Sequence, residues 1–390
     1  MGEGELQDDL LARVRAGIAQ RGLAGPETPV LLMVSGGSDS TALAYLAADL
    51  REAGEIGPLA ILHVNHLLRG RDADDDARFV AQLARLLGIS LHSREIDVGA
   101  IAKLEGGNLE AVARRERYAA ASEALAELCR RAGAPIAEGR IFTAHTADDR
   151  VENFYMRSIV GTGPGGFRSM RRLNGAVARP LLDIGREELR TWLQRRADAG
   201  APMARDDAGA LWREDATNAH TDRFRAYVRT QIVPLAKERN PRLLETLGRS
   251  MDLIGDEDDM LEDMAADLEA RHVAWIAEAE GRAPNPEEGC VLAPGLGGEP
   301  LPLQRRVVLR VLRAILGAGA RVESASVEAV LAAWEPAGEG DDAEGGADAA
   351  PRIRSGYVTN IQGDLAVSAN KRGVRIEPMA AFRARRKKDR

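Results

Sequence analysis

The stretch Val34–Ser40, VSGGSDS, stands between an apolar run and a helical repeat, and it decides which fold the chain can adopt. The run Pro29–Val34 (PVLLMV) predicts a buried strand, and the apolar spacing after Ser40 predicts a helix. Gly36 and Gly37 allow successive backbone N–H groups to converge on an anion, and the helix N-terminus adds a partial positive charge. The stretch therefore predicts a strand-to-helix turn that binds phosphate.

Three hydroxyls and one carboxylate distinguish this turn from an ordinary helix start. Ser35, Ser38 and Ser40 add hydrogen-bond donors for phosphate oxygens. Asp39 would repel a phosphate unless a cation lies between them, which indicates Mg²⁺ between Asp39 and a polyphosphate. A plain helix cap would account for one serine only. The stretch also lacks the lysine of a Walker loop.

Short apolar runs alternate with amphipathic stretches through the first part of the chain. Further strands are predicted at Leu59–Val64, Ile89–Ile96 and Arg140–Ala144, and a long helix at about 109–131. Strands separated by helices indicate an α/β fold, a Rossmann-like parallel sheet with helices on both faces. Such sheets bind ligands beyond the carboxyl ends of their strands.

The pattern changes along the chain and predicts four segments. After Asp222 strand-like runs give way to charged helical patterns, and a later acidic, glycine-rich stretch cannot bury enough apolar surface to order. The predicted segments are a nucleotide-binding catalytic domain at 1–221, a helical domain at 222–334, an acidic linker at 335–350, and a small strand-containing C-terminal segment with a basic tail at 351–390.

Charge and composition favour a cytoplasmic protein and allow a nucleic-acid partner. The net charge is −7, but residues 252–269 hold nine acids and residues 339–348 hold five, with no Lys or Arg in either stretch. Setting those fourteen acids aside leaves +7 for the remainder, so a basic face can exist. The acidic start is unlike a signal peptide, no apolar run reaches bilayer length, and Cys129 and Cys290 lack metal or redox spacing. We expect no membrane segment; monomer and homodimer both stay open.

Motifs in a fixed order carry a resemblance to one family. SGGSDS resembles the SGGxDS loop of the PP-loop ATP pyrophosphatases, which split ATP between its α and β phosphates. Further segments resemble, in the same order, those of the tRNA(Ile)-lysidine synthetases, over about residues 28–250. They are HVNHLLRG (63–70), GNLEAVARRERY (107–118), AHTADDRVEN (144–153), RPLL (179–182) and EDATN (214–218).

The resemblance implies a two-step reaction on the wobble cytidine of tRNA(Ile) with a CAU anticodon. ATP would adenylate the C2 oxygen of cytosine and release pyrophosphate, and the ε-amine of free L-lysine would then displace AMP. ATP and Mg²⁺ are the implied cofactors, and tRNA(Ile) and lysine the implied partners. The cytosine must leave the anticodon stack to react, and the helical domain at 222–334 is the implied tRNA-binding domain.

The resemblance also implies roles for individual residues. Asp39, Asp149 and Glu152 are the implied catalytic residues, with Asp39 as the metal ligand. The implied nucleotide contacts are Ser35, Gly36, Gly37, Ser38, Asp39, Ser40 and His63. The implied substrate contacts are Arg114, Arg117, His145, Arg225 and Arg229. Plainer alternatives exist, because acids in a first helical turn partner the helix dipole and arginines one turn apart line solvated faces.

Four positions depart from the family pattern and bear on the handling of tRNA and lysine. Thr146, Arg150, Val160 and Ala226 stand where the family has a histidine, a glutamine, an arginine and an asparagine. The rival hypotheses are a PP-loop tRNA thiolase, an amidating ligase, and a nucleotide-binding RNA module without catalysis. Two distant cysteines argue against a thiolase, and the chain has no N-terminal nucleophile cysteine for a glutaminase.

Overall fold

The computed structural model describes residues 3–68, 70–214, 223–279, 281–283, 285–317, 319–334 and 352–388. The chain divides into two compact units, Met1–Gly255 and Asp256–Arg390. Three features predicted from the sequence lie outside the described residues. They are the acidic linker at 335–350, the boundary at 221–222 and most of the EDATN motif, 215–218.

The first unit is built on a six-stranded sheet. Its strands are β1 (Val30–Met33), β2 (Leu59–Asn65), β3 (Ser90–Glu95), β4 (Arg140–Phe142), β5 (Leu173–Asn174) and β6 (Val177–Ala178). The order is β3-β2-β1-β4-β6-β5, parallel from β3 to β6, while β5 pairs antiparallel with β6. The four strands predicted from the sequence are confirmed as β1 to β4.

Helices surround this sheet and continue beyond it. They are α1 (Glu3–Gln20), α2 (Ser38–Glu52), α3 (Arg71–Leu86), α4 (Val98–Glu105), α5 (Leu109–Ala132), α6 (Ala147–Val160), α7 (Pro164–Phe167), α8 (Arg186–Asp198), α9 (Arg223–Tyr227), α10 (Val233–Arg239) and α11 (Leu243–His272). A π-helical turn, Val228–Ile232, joins α9 to α10. The division between the two units falls within α11.

Strand β1 is buried on both faces, as a central parallel strand requires. Val30 and Leu32 pack into a core with α2, α3 and α8, whereas Leu31 packs into a second core with α5. All three side chains are 0% exposed. Truncating Leu31 to alanine would therefore cost about 2–5 kcal/mol, from lost burial and the cavity left behind. The predicted fold class, a parallel sheet with helices on both faces, is confirmed.

Strand order also fixes where a ligand can bind. Val30 of β1 pairs with Leu59 of β2 on one side and with Arg140 of β4 on the other. The chain leaves β1 toward β2 and later returns on the opposite side as β4, which makes a topological switch point. The loops after β1 and β4 diverge at such a point and leave a crevice at the carboxyl ends. Residues 34–37 and 143–146 follow these two strands.

The segment from α9 to the start of α11 packs against α6. Val151 of α6 shares a buried cluster with Val228, Val233, Leu243 and Met251. This packing places the π-helical turn beside the acidic residues of α6.

The second unit holds a five-stranded antiparallel sheet of order β7-β8-β11-β10-β9. Its strands are β7 (Val273–Trp275), β8 (Cys290–Leu292), β9 (Val358–Ile361), β10 (Leu365–Asn370) and β11 (Gly373–Pro378). Its helices, besides the end of α11, are α12 (Ile276–Ala279), α13 (Leu301–Leu316), α14 (Ser324–Leu331) and α15 (Met379–Lys388). None of the helices in the described residues is long and apolar enough to cross a membrane.

Strands β7 and β8 lie in a stretch whose sequence predicts only helices. Each has three residues, too few for an alternating pattern to be recognised. They form because β8 pairs with β11, with Cys290 opposite Ile376, and that partner lies far along the chain. The predicted C-terminal strand pair is accordingly part of a larger sheet.

Candidate functional site

The turn after β1 has the shape that its sequence predicts. Gly36 has φ of 98°, in the left-handed region that favours glycine. The hydroxyl of Ser40 accepts hydrogen bonds from the backbone N–H groups of Ser35 and Gly36, both at 3.2 Å. The Thr41 hydroxyl donates to the carbonyl of Gly36 at 3.2 Å. Side chains of the first turn of α2 therefore hold the loop in place.

His63 supports the same turn from the neighbouring strand. Its Nδ1 lies 2.9 Å from the carbonyl oxygen of Val34, and the side chain is buried. A carbonyl only accepts, so Nδ1 carries the proton and donates. In this structure His63 positions the start of the loop.

Asp39 lies in the first turn of α2. Ser38 donates a hydrogen bond to Asp39 at 3.1 Å, and Arg190 Nε donates to the Ser38 hydroxyl at 3.3 Å. Burial raises the pKa of Asp39 above its ordinary value, although the guanidinium of Arg186 opposes that shift. Two arginines of α8, one helical turn apart, therefore reach two successive residues of the loop.

Helix α6 opens with a capping box after β4. Thr146 accepts from the backbone N–H of Asp149, and Asp149 Oδ2 accepts from the Thr146 N–H at 2.8 Å. The Thr146 hydroxyl also donates to Asp149 at 3.0 Å. This departure from the family pattern thus has a structural role, since it caps the helix that carries the acidic residues.

The acidic residues of α6 meet the phosphate loop on one guanidinium. Arg186, the first residue of α8, contacts Asp39 at 3.0 Å. It also contacts Asp149 at 3.0 Å and Glu152 at 3.5 Å. These carboxylates raise the pKa of Arg186 above its ordinary value in spite of its burial. The predicted catalytic set is therefore gathered in one place.

Glu152 is the most deeply buried acid of this set. Its side chain is 2% exposed and accepts two hydrogen bonds from Arg229, at 2.7 and 3.0 Å. Arg229 also lies 3.8 Å from Asp149. The sequence predicts Arg229 as a substrate contact, whereas the structure pairs it with Glu152.

Asp148 binds the N-terminus of α8. It accepts from the backbone N–H of Arg186 at 2.7 Å and from Lys237 Nζ at 2.8 Å. Burial opposes ionisation, but these hydrogen bonds hold the pKa of Asp148 below its ordinary value. Asp148 thereby fixes the backbone from which Arg186 extends.

A basic cluster lies next to these acids, around the carboxyl end of β4. Arg114 and Arg117 on α5 stand 5.1 and 5.9 Å from the ring centroid of Tyr118. Arg179 and both of these arginines act electrostatically on His145. Burial first of all, and then these cations, lower the pKa of His145 to about 4, although Asp149 opposes them. His145 is therefore neutral at pH 7.

The other predicted or departing positions lie outside this cluster. Arg225 is half-buried on α9. Arg150 is 2% exposed and pairs with Asp252 of α11 at 2.8 Å, so it stabilises the packing of α6. Val160 is the exposed last residue of α6, and Ala226 lies on α9.

Sequence reasoning missed Arg186 and Arg190. The segment REELR follows the RPLL motif and places two arginines four residues apart on one helical face. That spacing was the available signal. Only the packing of α8 beside α2 shows that both reach the loop.

The donor chemistry of the loop fits Mg²⁺ only when a substrate shares the metal. Among the described residues, no group of three or more His, Cys, Asp or Glu side chains is arranged to hold a metal ion. The loop offers the Asp39 carboxylate and the Ser38 hydroxyl, both hard oxygen donors. Mg²⁺ is commonly held by one or two carboxylates together with substrate phosphates.

Comparisons with known proteins agree with this geometry. Residues 13–236 match the family model described as the PP-loop domain. The tRNA(Ile)-lysidine synthase of Geobacter sulfurreducens is 31% identical to the chain, over 83% of the chain and 63% of that protein. The tRNA(Ile)-lysidine synthase of Thermus thermophilus is 38% identical, over 62% of the chain and 42% of that protein.

The chain spans less than two thirds of the length of these curated relatives. Among solved structures, a U34-tRNA thiolase from Methanococcus maripaludis is 16% identical, covering 64% of this chain and 80% of its own, with a TM-score of 0.46. That score is too low to carry an argument about function. The family model, in contrast, matches more than half of the sequence. The chain belongs to the PP-loop domain family.

Proposed function

We propose that this protein is a tRNA(Ile)-lysidine synthase. It ligates free L-lysine to C2 of the wobble cytidine of tRNA(Ile) with a CAU anticodon, and consumes ATP with release of AMP and pyrophosphate. Membership of the PP-loop family implies the use of ATP. The names of the curated relatives support the tRNA substrate and the lysidine product.

One observation carries the proposal. Asp39 of the phosphate loop and the Asp149–Glu152 pair of α6 contact the same guanidinium, Arg186. A nucleotide in the loop and an amine held by the α6 carboxylates would therefore lie side by side. A ligase that activates one substrate with ATP and then attacks it with an amine needs this proximity.

In the first step the cytosine O2 attacks the α-phosphorus of ATP. The bond from that phosphorus to the bridging oxygen breaks, and pyrophosphate leaves. The glycine-rich loop and the N-terminus of α2 bind the departing phosphates through backbone N–H groups. Mg²⁺ at Asp39, when bound, supplies neutralisation of the charge that develops there.

In the second step the lysine ε-amine attacks C2, and the C2–O bond breaks with release of AMP. The attacking amine must lose protons, and a nearby carboxylate can accept one. The lysine α-ammonium needs an anionic partner as well. We assign these two roles to Asp149 and Glu152, which project from one face of α6.

The basic cluster supplies the contact with tRNA in this proposal. Arg114 and Arg117 act electrostatically on His145, in the loop between β4 and α6, as does Asp149 of α6. Arginines on one helical face suit the phosphates beside a flipped nucleotide. We also retain the predicted functional division, with catalysis within 1–221 and tRNA binding within 222–334, and a cytoplasmic location where tRNA is available.

A thiolase is the weaker candidate because of its cysteine requirement. Cys129 and Cys290 are both buried free thiols, one in each compact unit. Burial raises the pKa of both thiols, which keeps them protonated and poorly nucleophilic.

The test is incorporation of labelled L-lysine into a tRNA(Ile) transcript with a CAU anticodon. Incorporation should require ATP and Mg²⁺ and release AMP and pyrophosphate. A matched transcript with uridine in place of the wobble cytidine should accept none. Equal incorporation into both transcripts, or none into either, would reject the proposal.

A further inference from the structure

Arg186 is shared by the two halves of the candidate site. Its Nε lies 3.0 Å from Asp39 Oδ2 in the phosphate loop. Its Nη2 lies 3.0 Å from Asp149 Oδ1, and its Nη1 lies 3.5 Å from Glu152 Oε1. All three guanidinium nitrogens are thus engaged. The same positive charge therefore contacts Asp39, on the side where the nucleotide is proposed to bind, and Asp149 and Glu152, on the side where the lysine amine is proposed to bind.

The carboxylate oxygens on the amine side are already bonded. Asp149 Oδ2 accepts from Thr146, and Asp149 Oδ1 contacts Arg186 at 3.0 Å and Arg229 at 3.8 Å. Glu152 gives both of its oxygens to Arg229 and one of them also to Arg186. An ammonium group that binds here therefore has to share these oxygens with guanidinium groups or replace a guanidinium contact.

The local charge balance indicates what would replace it. Asp39, Asp149 and Glu152 carry three negative charges, and Arg186 and Arg229 carry two positive ones. Counting only these direct contacts, the set is one positive charge short. A single ammonium supplies that charge, provided that Arg186 finds another anionic partner when it releases α6.

A nucleotide in the loop offers that partner. Phosphate oxygens accept paired hydrogen bonds from a guanidinium, and such bonds are stronger than single contacts to a shared carboxylate. The backbone of Arg186 is anchored by Asp148, which accepts its N–H at 2.7 Å and is itself bound by Lys237 at 2.8 Å. Reorientation is thus confined to the side chain.

We propose, resting on the ligase function above, that Arg186 is a positioning residue that makes lysine binding depend on nucleotide binding. Without nucleotide the guanidinium occupies Asp149 and Glu152 and competes with the amine. With nucleotide in the loop it turns toward the phosphates, and Asp149 Oδ1 and Glu152 Oε1 each lose one guanidinium competitor, while Arg229 stays on Glu152. The enzyme thereby avoids holding lysine before the cytidine can be activated.

The test measures binding of labelled L-lysine to the full chain by equilibrium dialysis, with and without Mg²⁺ and the non-hydrolysable analogue α,β-methylene-ATP. The wild-type protein should bind lysine at least tenfold more tightly with the analogue. Arg186→Gln should bind lysine without the analogue at least tenfold more tightly than wild type does. Arg196→Gln is the matched control on the same helix, because Arg196 pairs with Asp49 at 2.7 and 2.9 Å.

Increased binding by Arg186→Gln is a gain that damage to the fold would not produce. If wild type binds lysine equally with and without the analogue, the inference is wrong, whatever the variant does. It is also wrong if Arg186→Gln matches Arg196→Gln, or if no condition gives lysine binding. Lysine incorporation into tRNA, measured in parallel on wild type, tests the proposed function separately. Arg186→Lys keeps the positive charge but loses the planar guanidinium with its paired N–H donors. Its lysine binding should depend on the nucleotide more than that of Arg186→Gln and less than that of wild type.

Discussion

Glu152 in the first unit and Glu377 in the second are two buried carboxylates with similar immediate partners. Each side chain is 2% exposed, and each forms ion pairs with two arginines. In both cases the removal of one of the two partners would leave a buried ion pair uncompensated. By burial and pairing alone, the two residues are equivalent.

Their wider surroundings differ. The arginines of Glu377 are Arg375, two residues earlier on the same strand, and Arg385 on α15, at 3.0 and 2.6 Å. In the described residues these two arginines form ion pairs with Glu377 only. The charge of Glu377 is therefore matched by two arginines of its own unit.

At Glu152, in contrast, Arg186 also binds Asp149 and Asp39, which come from different elements at the carboxyl edge of a parallel sheet. A buried carboxylate bound by arginines therefore does not by itself identify a functional site. Several carboxylates that share one guanidinium at a ligand-binding edge are the more informative feature.

The largest expected effect comes from Asp39→Asn, compared with Asp49→Asn on the same helix. Both residues contact an arginine of α8, at 3.0 Å for Asp39 and 2.7 Å for Asp49. Asp39→Asn should lower Mg²⁺-dependent exchange of ATP with pyrophosphate by roughly 100-fold or more, since it removes the charge proposed to hold Mg²⁺ beside the phosphates. Asp49→Asn should retain exchange within a few-fold. Unchanged exchange in Asp39→Asn would contradict the assignment of the loop.

The second-largest effect is expected when each of the two glutamates is changed to glutamine. Glu152→Gln should raise the KM for lysine tenfold or more, while AMP transfer to tRNA without lysine continues. Glu377→Gln should leave both steps unchanged and destabilise the second unit by about 1–3 kcal/mol, because two half-buried arginines lose a charged partner. Lysine titration and hydrogen exchange measure the two outcomes.

Two other outcomes for Glu152→Gln would give Glu152 a different role. Loss of both chemical steps in Glu152→Gln would assign Glu152 to the adenylation machinery. No change in either step would make it a structural charge like Glu377.

The sequence predicts the half of this site that depends on local spacing. The glycines of the loop and the three-residue interval from Asp149 to Glu152 need only one strand or one helix to be interpreted. Arg186 could not be found in this way, because its contacts depend on how α8 packs. The same holds for Arg150, whose partner Asp252 lies on α11. Long-range pairing has no signature in a single sequence.

The neutral, buried His145 should lower the free energy of unfolding of the protein at acidic pH. Burial lowers the pKa of His145 to about 4 in the folded protein, against an ordinary value of 6.5. Between these two values the unfolded chain binds a proton that the folded protein does not, so stability falls as the pH drops from 6.5 toward 4. This contribution amounts to about 2 kcal/mol between pH 7 and pH 5.

Replacing His145 with asparagine should remove that part of the acid sensitivity. Urea denaturation at pH 7 and pH 5 should show a smaller loss of stability for His145→Asn than for wild type. Glu377→Gln, as the control from the second unit, should keep the His145-dependent loss in full. Equal losses in wild type and His145→Asn would mean that His145 is not held neutral by the fold.

The smallest effect separates two adjacent arginines of α5. Arg115 is bound by Glu105 at 2.8 Å and by Glu116 at 2.7 Å, so its charge is already matched. Arg114 instead lies over the ring of Tyr118, 5.1 Å from the centroid, in the cluster around His145.

Arg114→Ala should weaken tRNA binding a few-fold and flatten the dependence of log affinity on log salt by about 0.7–0.9, the loss of one phosphate contact. Arg115→Ala should leave that slope unchanged. Filter binding across a salt series measures both slopes. An equal flattening in the two variants would show that the ion pairs of Arg115 open on tRNA binding, and that the whole exposed face of α5, rather than the cluster near the acids, contacts the RNA.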